Sequence, residues 1–241
     1  MPLSANDSIE AKQAFYNNYW ASRPTRRNVH ELLRLAEILQ ALAYVVGSDP
    51  QATFEVCDLG CGTGWLSNEL TAIGRVTGVD LSPVGIEQAR TNYHNVDFEV
   101  ADVTAWDPPR QFDLVVSSEV LEHLTEKSQF VSTLKRITKP GGWVLITTPN
   151  KNVKTAWDAA DMGQQILEDW VTPKQLRALF SDFLVVQHKT FLYDFAYVGV
   201  YRWLSAKKLR HFLRWCRVDP LYDSLRGISG LGLYQLLLCR R

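Results

Sequence analysis

The sequence lacks several features that would have marked a class outright. It contains no run of eighteen or more uncharged apolar residues, so nothing in it reads as a membrane span. Its start, MPLSANDSIEAK, has neither the basic stretch nor the apolar core of a secretory leader, and the expectation is a soluble, cytoplasmic protein. Cysteine is scarce: Cys57, Cys61, Cys216 and Cys239 are too few and too scattered for a disulfide framework. No C-x-x-C pair suggests zinc, so reduced thiols and no metal are expected. An excess of either charge is also missing, since 26 Lys and Arg stand against 26 Asp and Glu. No global field draws a polyanion, which argues against bulk DNA binding and leaves only local basic faces to consider.

What is present is apolar substance and alternation. At 241 residues and 46% hydrophobic the chain can bury a full core as one domain. Residues 28–46 place Val29, Leu32, Leu33, Ala36, Leu39 and Ala43 on one helical face, expected to be the buried one. Short runs rich in branched residues follow at 54–59, 75–81, 96–103, 112–118 and 142–149, with helical stretches between them, notably 83–93 and 119–138. Buried strands that each lead into a helix predict a doubly wound, Rossmann-like α/β sheet with helices on both faces. Ligands bind such sheets at the carboxyl ends of the strands.

The densest signal sits at the first strand's carboxyl end. FEVCDLGCGTGWLS (54–67) sets Gly60, Gly62 and Gly64 at alternate positions behind Asp58. Glycine there permits positive φ and lets backbone N–H groups approach a ligand with no Cβ between. A phosphate loop would need a lysine after its last glycine, and a dinucleotide fingerprint would need its third glycine where Trp65 stands. What remains is D-x-G-x-G-x-G.

With this loop the sequence resembles the class I S-adenosylmethionine-dependent methyltransferases, particularly the small-molecule branch that carries DLGCGTG. Further stretches agree in order: GVDLSP at 78–83, VADV at 100–103, EVLEHL at 119–124 and KPGGWVLITTPN at 139–150. The resemblance spans about residues 50–150 and implies S-adenosyl-L-methionine as cofactor. It implies that Asp80 takes the ribose hydroxyls, Asp102 the adenine amino group, and the Val103 N–H a ring nitrogen. Asp58, Gly60, Cys61, Gly62, Gly64, Leu81 and Ser118 complete the implied cofactor set. Each acid taken alone is also an ordinary strand-end residue; Asp58 is expected to hold the glycine loop through backbone N–H groups. The family implies a seven-stranded sheet, mostly parallel with an antiparallel last strand, and 183–191 and 232–240 read as its sixth and seventh strands.

His123 is the best-placed proton acceptor, because an imidazole titrates near neutrality; its alternative is a capping or cofactor contact. Glu119 is expected at the pocket rim and Glu122 in solvent. Ahead of the core, Phe15, Tyr16, Tyr19 and Trp20 crowd before Arg23, Arg26 and Arg27, and the family implies that such a segment covers the cofactor and brings an aromatic or an arginine to its carboxylate. Thr172-Pro173-Lys174-Gln175 starts a helix, with a hydroxyl N-cap and proline at N1.

A small-molecule acceptor would be lined by Tyr19, Trp157, Trp170 and Tyr197, with Gln165, Glu168 and Asp169 as further candidates. The expected organisation is one domain over 1–241. It comprises a helical cap (1–48), a cofactor core (49–150), a lid or acceptor wall (151–182) and the last two strands (183–241), which enclose an aromatic, basic insertion at about 192–230. That insertion reads three ways: a lid over a hydrophobic acceptor, an amphipathic helix near 201–217 touching a membrane or lipid-linked substrate, or a packing or dimer element. Oligomeric state is left open. The expected activity is methyl transfer to oxygen or nitrogen of a small hydrophobic or lipid-linked molecule. An RNA-directed enzyme and a non-catalytic cofactor-binding module are the alternatives.

Overall fold

The computed structural model describes residues 8–22, 28–154, 169–192, 215–216 and 230–241. Helices α1 (Ile9–Ser22) and α2 (Val29–Ser48) precede an alternating core of β1 (Phe54–Leu59), α3 (Trp65–Leu70), β2 (Gly74–Asp80), α4 (Pro83–Asn92), β3 (Val96–Val100) and β4 (Phe112–Ser118). A 3-10 turn (Leu121–His123), α5 (Lys127–Ile137), β5 (Thr138–Pro149), α6 (Pro173–Leu179), β6 (Leu184–Phe191) and β7 (Tyr234–Arg240) complete it. The strands form one sheet in the order β3-β2-β1-β4-β5-β7-β6, with β7 antiparallel to both neighbours. The expected mostly parallel sheet with an antiparallel last strand is what the chain builds. The strand order reverses between β1 and β4, which pair in parallel through Asp58 and Val116. Both strands therefore end at one topological switch point, where open α/β sheets bind ligands.

Each face of the sheet buries its own core. On one, Ile38, Leu42 and Val45 of α2 meet Leu66, Leu70 and Ile86 over Val56, Leu114 and Leu236. On the other, Phe130, Leu134 and Ile137 of α5 join Leu176 and Phe180 over Leu59, Val115 and Ile146. The helix starts follow their sequence signals. Asn28 and Glu31 form a reciprocal capping box at α2, and Thr172 and Gln175 form another at α6, behind the expected proline.

Three expectations need correction. The buried face of α2 is Glu31, Arg34, Ile38, Ala41, Leu42 and Val45, so the stripe through Val29, Leu32, Leu33, Ala36, Leu39 and Ala43 faces outward. Two apolar stripes run along this helix, and the capping of Glu31 and the ion pair of Arg34 with Glu119 turn the other one inward. The stretch 119–138 is not one helix: Glu119 takes φ 60, which breaks the chain into the 3-10 turn before α5 begins. The third strand stops at Val100, so Asp102 sits in the loop beyond it.

The antiparallel edge is tied by a polar chain that runs from buried Gln235 out to exposed Arg177. Gln235 Nε2 donates to the carbonyls of Pro149 and Val171 at 3.2 and 2.8 Å. Its Oε1 lies 3.2 Å from His188 Nε2, and Arg177 Nε donates to His188 Nδ1 at 2.9 Å. Accepting at Nδ1 makes Nε2 the protonated nitrogen. Burial holds the His188 pKa below its ordinary 6.5, with Arg177 adding to this and Gln235 opposing it. Neutral His188 is thus the folded-state form: its stabilisation is complete above pH 6.5 and is lost as pH falls toward the lowered folded-state value. Urea titrations from pH 7.5 to 5 should show wild type losing stability relative to His188→Gln; parallel curves would refute the linkage.

Candidate active site

The turn after β1 is bent by glycines at φ +88 (Gly60), +55 (Gly62) and +79 (Gly64), a region that side-chain-bearing residues avoid. The space a Cβ would need at each is already taken by the protein. Val120 lies 2.2 Å from that position at Gly60, the Trp20 ring 2.4 Å at Gly62, and Phe98 2.6 Å at Gly64. The glycines therefore serve packing as well as ligand approach. Gly60, Cys61 and Gly62 line the cavity described below, whereas Gly64 caps the start of α3 behind it.

The acids divide their work differently from the expectation. Asp80, at the end of β2, holds the glycine turn: its carboxylate accepts from the N–H of Gly62 at 2.8 Å and of Ser82 at 2.9 Å. Asp58 instead ties down α3, accepting from Ser67 Oγ at 2.6 Å, and burial pushes its pKa up to about 7. Burial also raises Asp80, against the backbone N–H groups that stabilise its charge. Asp102 accepts from the Thr104 N–H and hydroxyl, both at 2.8 Å, which orders the loop beyond β3 and presents Val103.

Helix α1 covers this turn although none of its residues is fully buried. It is pinned by polar contacts to the segment after β2: Gln13 donates to the Leu81 carbonyl at 3.0 Å, and Ser82 Oγ donates to Asn17 at 2.6 Å. Gln88 donates to the Trp20 carbonyl at 3.3 Å. Trp20 so held lies over Gly62, and Tyr16 presents its ring edge-on to His123, 6.2 Å between centroids.

Opposite α1 stands a polar wall. Arg34 of α2 lies 3.4 Å from the Glu119 carboxylate and 5.3 Å from the Tyr234 ring. Burial works against the Arg34 charge, but Glu119, Tyr234, Glu122 and Glu31 outweigh it and hold its pKa above the ordinary value. Burial pushes Glu119 up to about 8 despite Arg34. Arg34 Nε is buried with no hydrogen-bond partner. Glu122 was expected in solvent; it is 2% exposed, because its Oε2 accepts from Thr148 Oγ1 at 2.9 Å inside the sheet edge. Its Oε1 lies 3.9 Å from His123 Nε2. The turn is braced from behind, where the Asp169 N–H donates to the Glu122 carbonyl at 2.9 Å and the Asp169 carboxylate accepts from Lys127 at 2.9 Å.

These groups enclose one cavity of about 880 Å³. Of the residues expected at the site, Asp58, Asp80, Leu81, Asp102, Val103, Ser118, His123, Tyr19 and Trp170 all line it. Trp157, Tyr197, Gln165, Glu168 and the arginines at 23, 26 and 27 lie outside the described residues, as does most of the 192–230 insertion. Asp169 braces the His123 turn and is not among the lining residues. Sequence reasoning missed Arg34, His30, Glu31 and Tyr234, which also line the cavity. The available signal was a lone arginine inside an apolar helical repeat.

S-adenosylmethionine matches this set of groups. A carboxylate stands where two hydroxyls can donate, an apolar Val103 neighbours an acidic loop, and a buried guanidinium has an N–H free for an anion.

Gly62→Ala should cost about 1–3 kcal/mol, because the new methyl meets the Trp20 ring in a backbone region that alanine avoids. Adding Trp20→Ala should recover part of that loss. A chemical-denaturation double-mutant cycle with strictly additive effects would contradict the packing assigned to Trp20.

With the geometry in hand, comparison with known proteins is direct. Over 238 aligned positions the chain is 32% identical to the ubiquinone biosynthesis O-methyltransferase of Methylobacterium sp. (strain 4-46), covering 86% of this chain and 94% of that one. It is 33% identical over 146 residues to the protein of the same name from Thiobacillus denitrificans, covering 58% of this chain and 61%, under two thirds, of that relative's length. The fold is shared with the N-methyltransferase NodS from Bradyrhizobium japonicum WM9, solved with S-adenosyl-L-homocysteine, at TM-score 0.64 and 15% identity, over 98% of this chain and 99% of NodS. A family model described as a methyltransferase domain matches residues 19–190, most of the chain, and the protein belongs to that family.

Proposed function

We propose that the protein is an S-adenosylmethionine-dependent O-methyltransferase acting on a hydroxyl of a small, largely apolar molecule. The observation that carries this reading is the continuity of the cavity. The Gly60–Gly62 turn and Asp80 share one space with His123, Glu122, Trp170 and Tyr234, so cofactor groups and a proton acceptor face the same interior. The names of the relatives favour oxygen as the receiving atom.

Asp80, Val103 and the Gly60–Gly62 turn would hold the nucleoside end of the cofactor, and Arg34 the carboxylate of its amino-acid end. When bound, the cofactor supplies a sulfonium-activated methyl group. The chain's own contribution is alignment, dryness and removal of a proton. Tyr16, Tyr19, Trp20 and Trp170 wall the space and exclude water, which limits the acceptor to poses in line with the methyl group. His123 takes the hydroxyl proton, and the imidazolium so formed is stabilised by the Glu122 carboxylate 3.9 Å away. Glu122 stays in place because Thr148 donates to its other oxygen. A hydroxyl needs this help more than a neutral amine does, since it becomes a strong nucleophile only on losing its proton.

His123→Ala should lower turnover by about 10²–10⁴ while leaving calorimetric affinity for S-adenosylmethionine unchanged. Undiminished turnover would remove His123 as the base. Arg34→Met should do the reverse, weakening cofactor affinity by roughly 10–100-fold. Cofactor affinity untouched by that change would displace the carboxylate from Arg34. Mass spectrometry of extract incubated with protein and labelled cofactor identifies the acceptor, and absence of any labelled product would overturn the enzymatic reading.

A further inference from the structure

Gln235 interrupts an apolar strand. Along β7 the alternation sends Leu236 and Leu238 into the core shared with α2, and Leu237 and Cys239 into the core shared with α5 and α6. By the same parity Gln235 falls on the α6 side, where one more apolar residue would pack, yet it is 0% exposed. A primary amide is buried at that depth only where its donors and its acceptor are met. Here one N–H goes to the Pro149 carbonyl at the end of β5 and the other to the Val171 carbonyl, while His188 faces the amide oxygen.

Val171 is the point at which the segment ahead of α6 is tied to the sheet. Its carbonyl also accepts from the Lys151 N–H at 3.1 Å, and the residue makes a parallel bridge with Asn150. Its neighbour Trp170 is 3% exposed, lines the cavity and carries Lys154 Nζ over its ring at 5.3 Å. Sheet order gives this indole its place. The groups suited to the cofactor follow β1, β2 and β3, His123 follows β4, and Trp170 stands beyond them, where β5 ends and β7 begins. A cofactor held at Asp80 and Val103 with its methyl group toward His123 leaves the Trp170 end of the cavity for the acceptor.

We propose that Gln235 is a positioning residue for the acceptor: its buried amide fixes Val171, and through it sets Trp170 as the wall against which the acceptor rests. Gln235 itself does not line the cavity, so it acts only through that wall. This rests on the proposed division of the cavity between cofactor and acceptor.

The test uses Gln235→Met, Trp170→Phe and the double variant in the full chain, with labelled S-adenosylmethionine and hexylresorcinol, an apolar phenol, as the probe acceptor. Gln235→Met takes a donor from two buried carbonyls and lowers stability, so assays are run below its thermal midpoint. It should raise KM for the phenol by about tenfold, with calorimetric affinity for S-adenosylmethionine as in wild type. The double variant should be no worse than the poorer single one, because both changes act on one wall. Unchanged KM, a parallel loss of cofactor affinity, or multiplying effects in the double variant would each overturn the proposal. Should Gln235→Met fail to fold, His188→Ala loosens the same amide from a partly exposed position and should raise the same KM by a smaller factor; an unaltered KM there is equally fatal. If wild type binds the cofactor but does not methylate the phenol, the proposed acceptor class fails, and hydrogen exchange decides the positioning role alone. Faster exchange at 150–153 and 169–173 in Gln235→Met, with 60–64 unaffected, sustains it, and exchange like wild type overturns it.

Discussion

The functional end of this molecule depends on a single backbone constraint, the left-handed conformation of three alternate residues after β1. A chain bent in this way brings bare backbone to the cavity wall while its own N–H groups are taken by the carbonyls of Val79 and Cys61 and by Asp80, and it can be bent only where no Cβ intrudes. The space released is not left empty: Val120 after β4, Trp20 of α1 and Phe98 of β3 each press against one of the three glycines. Three separate parts of the chain are thereby registered on one turn. Asp80 then locks the turn by accepting from Gly62 and Ser82 together, so the carboxylate that faces the cavity is oriented before any ligand arrives.

From this registration the electrostatics follow. Bringing β1, β2 and β4 to one switch point buries Asp58, Asp80, Glu119 and Glu122 close together. Such a cluster survives only if its charges are hydrogen-bonded, paired or suppressed. The structure uses all three remedies: backbone N–H groups for Asp80, Arg34 for Glu119, and a raised pKa for Asp58 and Glu119. The backbone of Glu119 at φ 60 is the associated strain, and it places that carboxylate beside Arg34 instead of beside Glu122. The two acids of one short turn are thus given different nearest partners, Arg34 and Thr147 for Glu119, and Thr148 with His123 for Glu122.

The strands and the glycine turn were legible in the sequence because their signals are local. A run such as FEVCDL has one way to be buried on both sides, and β1 has the expected ends, Phe54 and Leu59. What could not be read was any choice between equivalent faces. Helix α2 carries two apolar stripes at helical spacing, and periodicity favoured the one with more leucines. The decision was made by Glu31 and Arg34, whose partners lie at the helix cap and after β4. Glu122 was misjudged for the same reason: a glutamate beside a histidine reads as solvated until Thr148, twenty-six positions later, is brought against it. Asp58 and Asp80 were both recognised as important, but which of them grips the glycine turn depends on how far each strand extends past its neighbour.

The same reasoning explains how α2 accommodates two apolar stripes. A helix packed on a sheet needs roughly a third of its circumference to be apolar, and Ile38, Ala41, Leu42 and Val45 supply that for α2. Glu31 and Arg34 occupy the cavity end of that same side and line the space. The outer stripe contributes nothing to this packing, so folding stability alone places no demand on Val29, Leu32, Leu33 or Leu39. Exposed leucine and valine cost solubility without adding to the core. The inner side of the same helix, through Glu31 and Arg34, forms part of the cavity wall, so one face sets both the packing and the polar lining of the cavity, and the outer stripe sets neither.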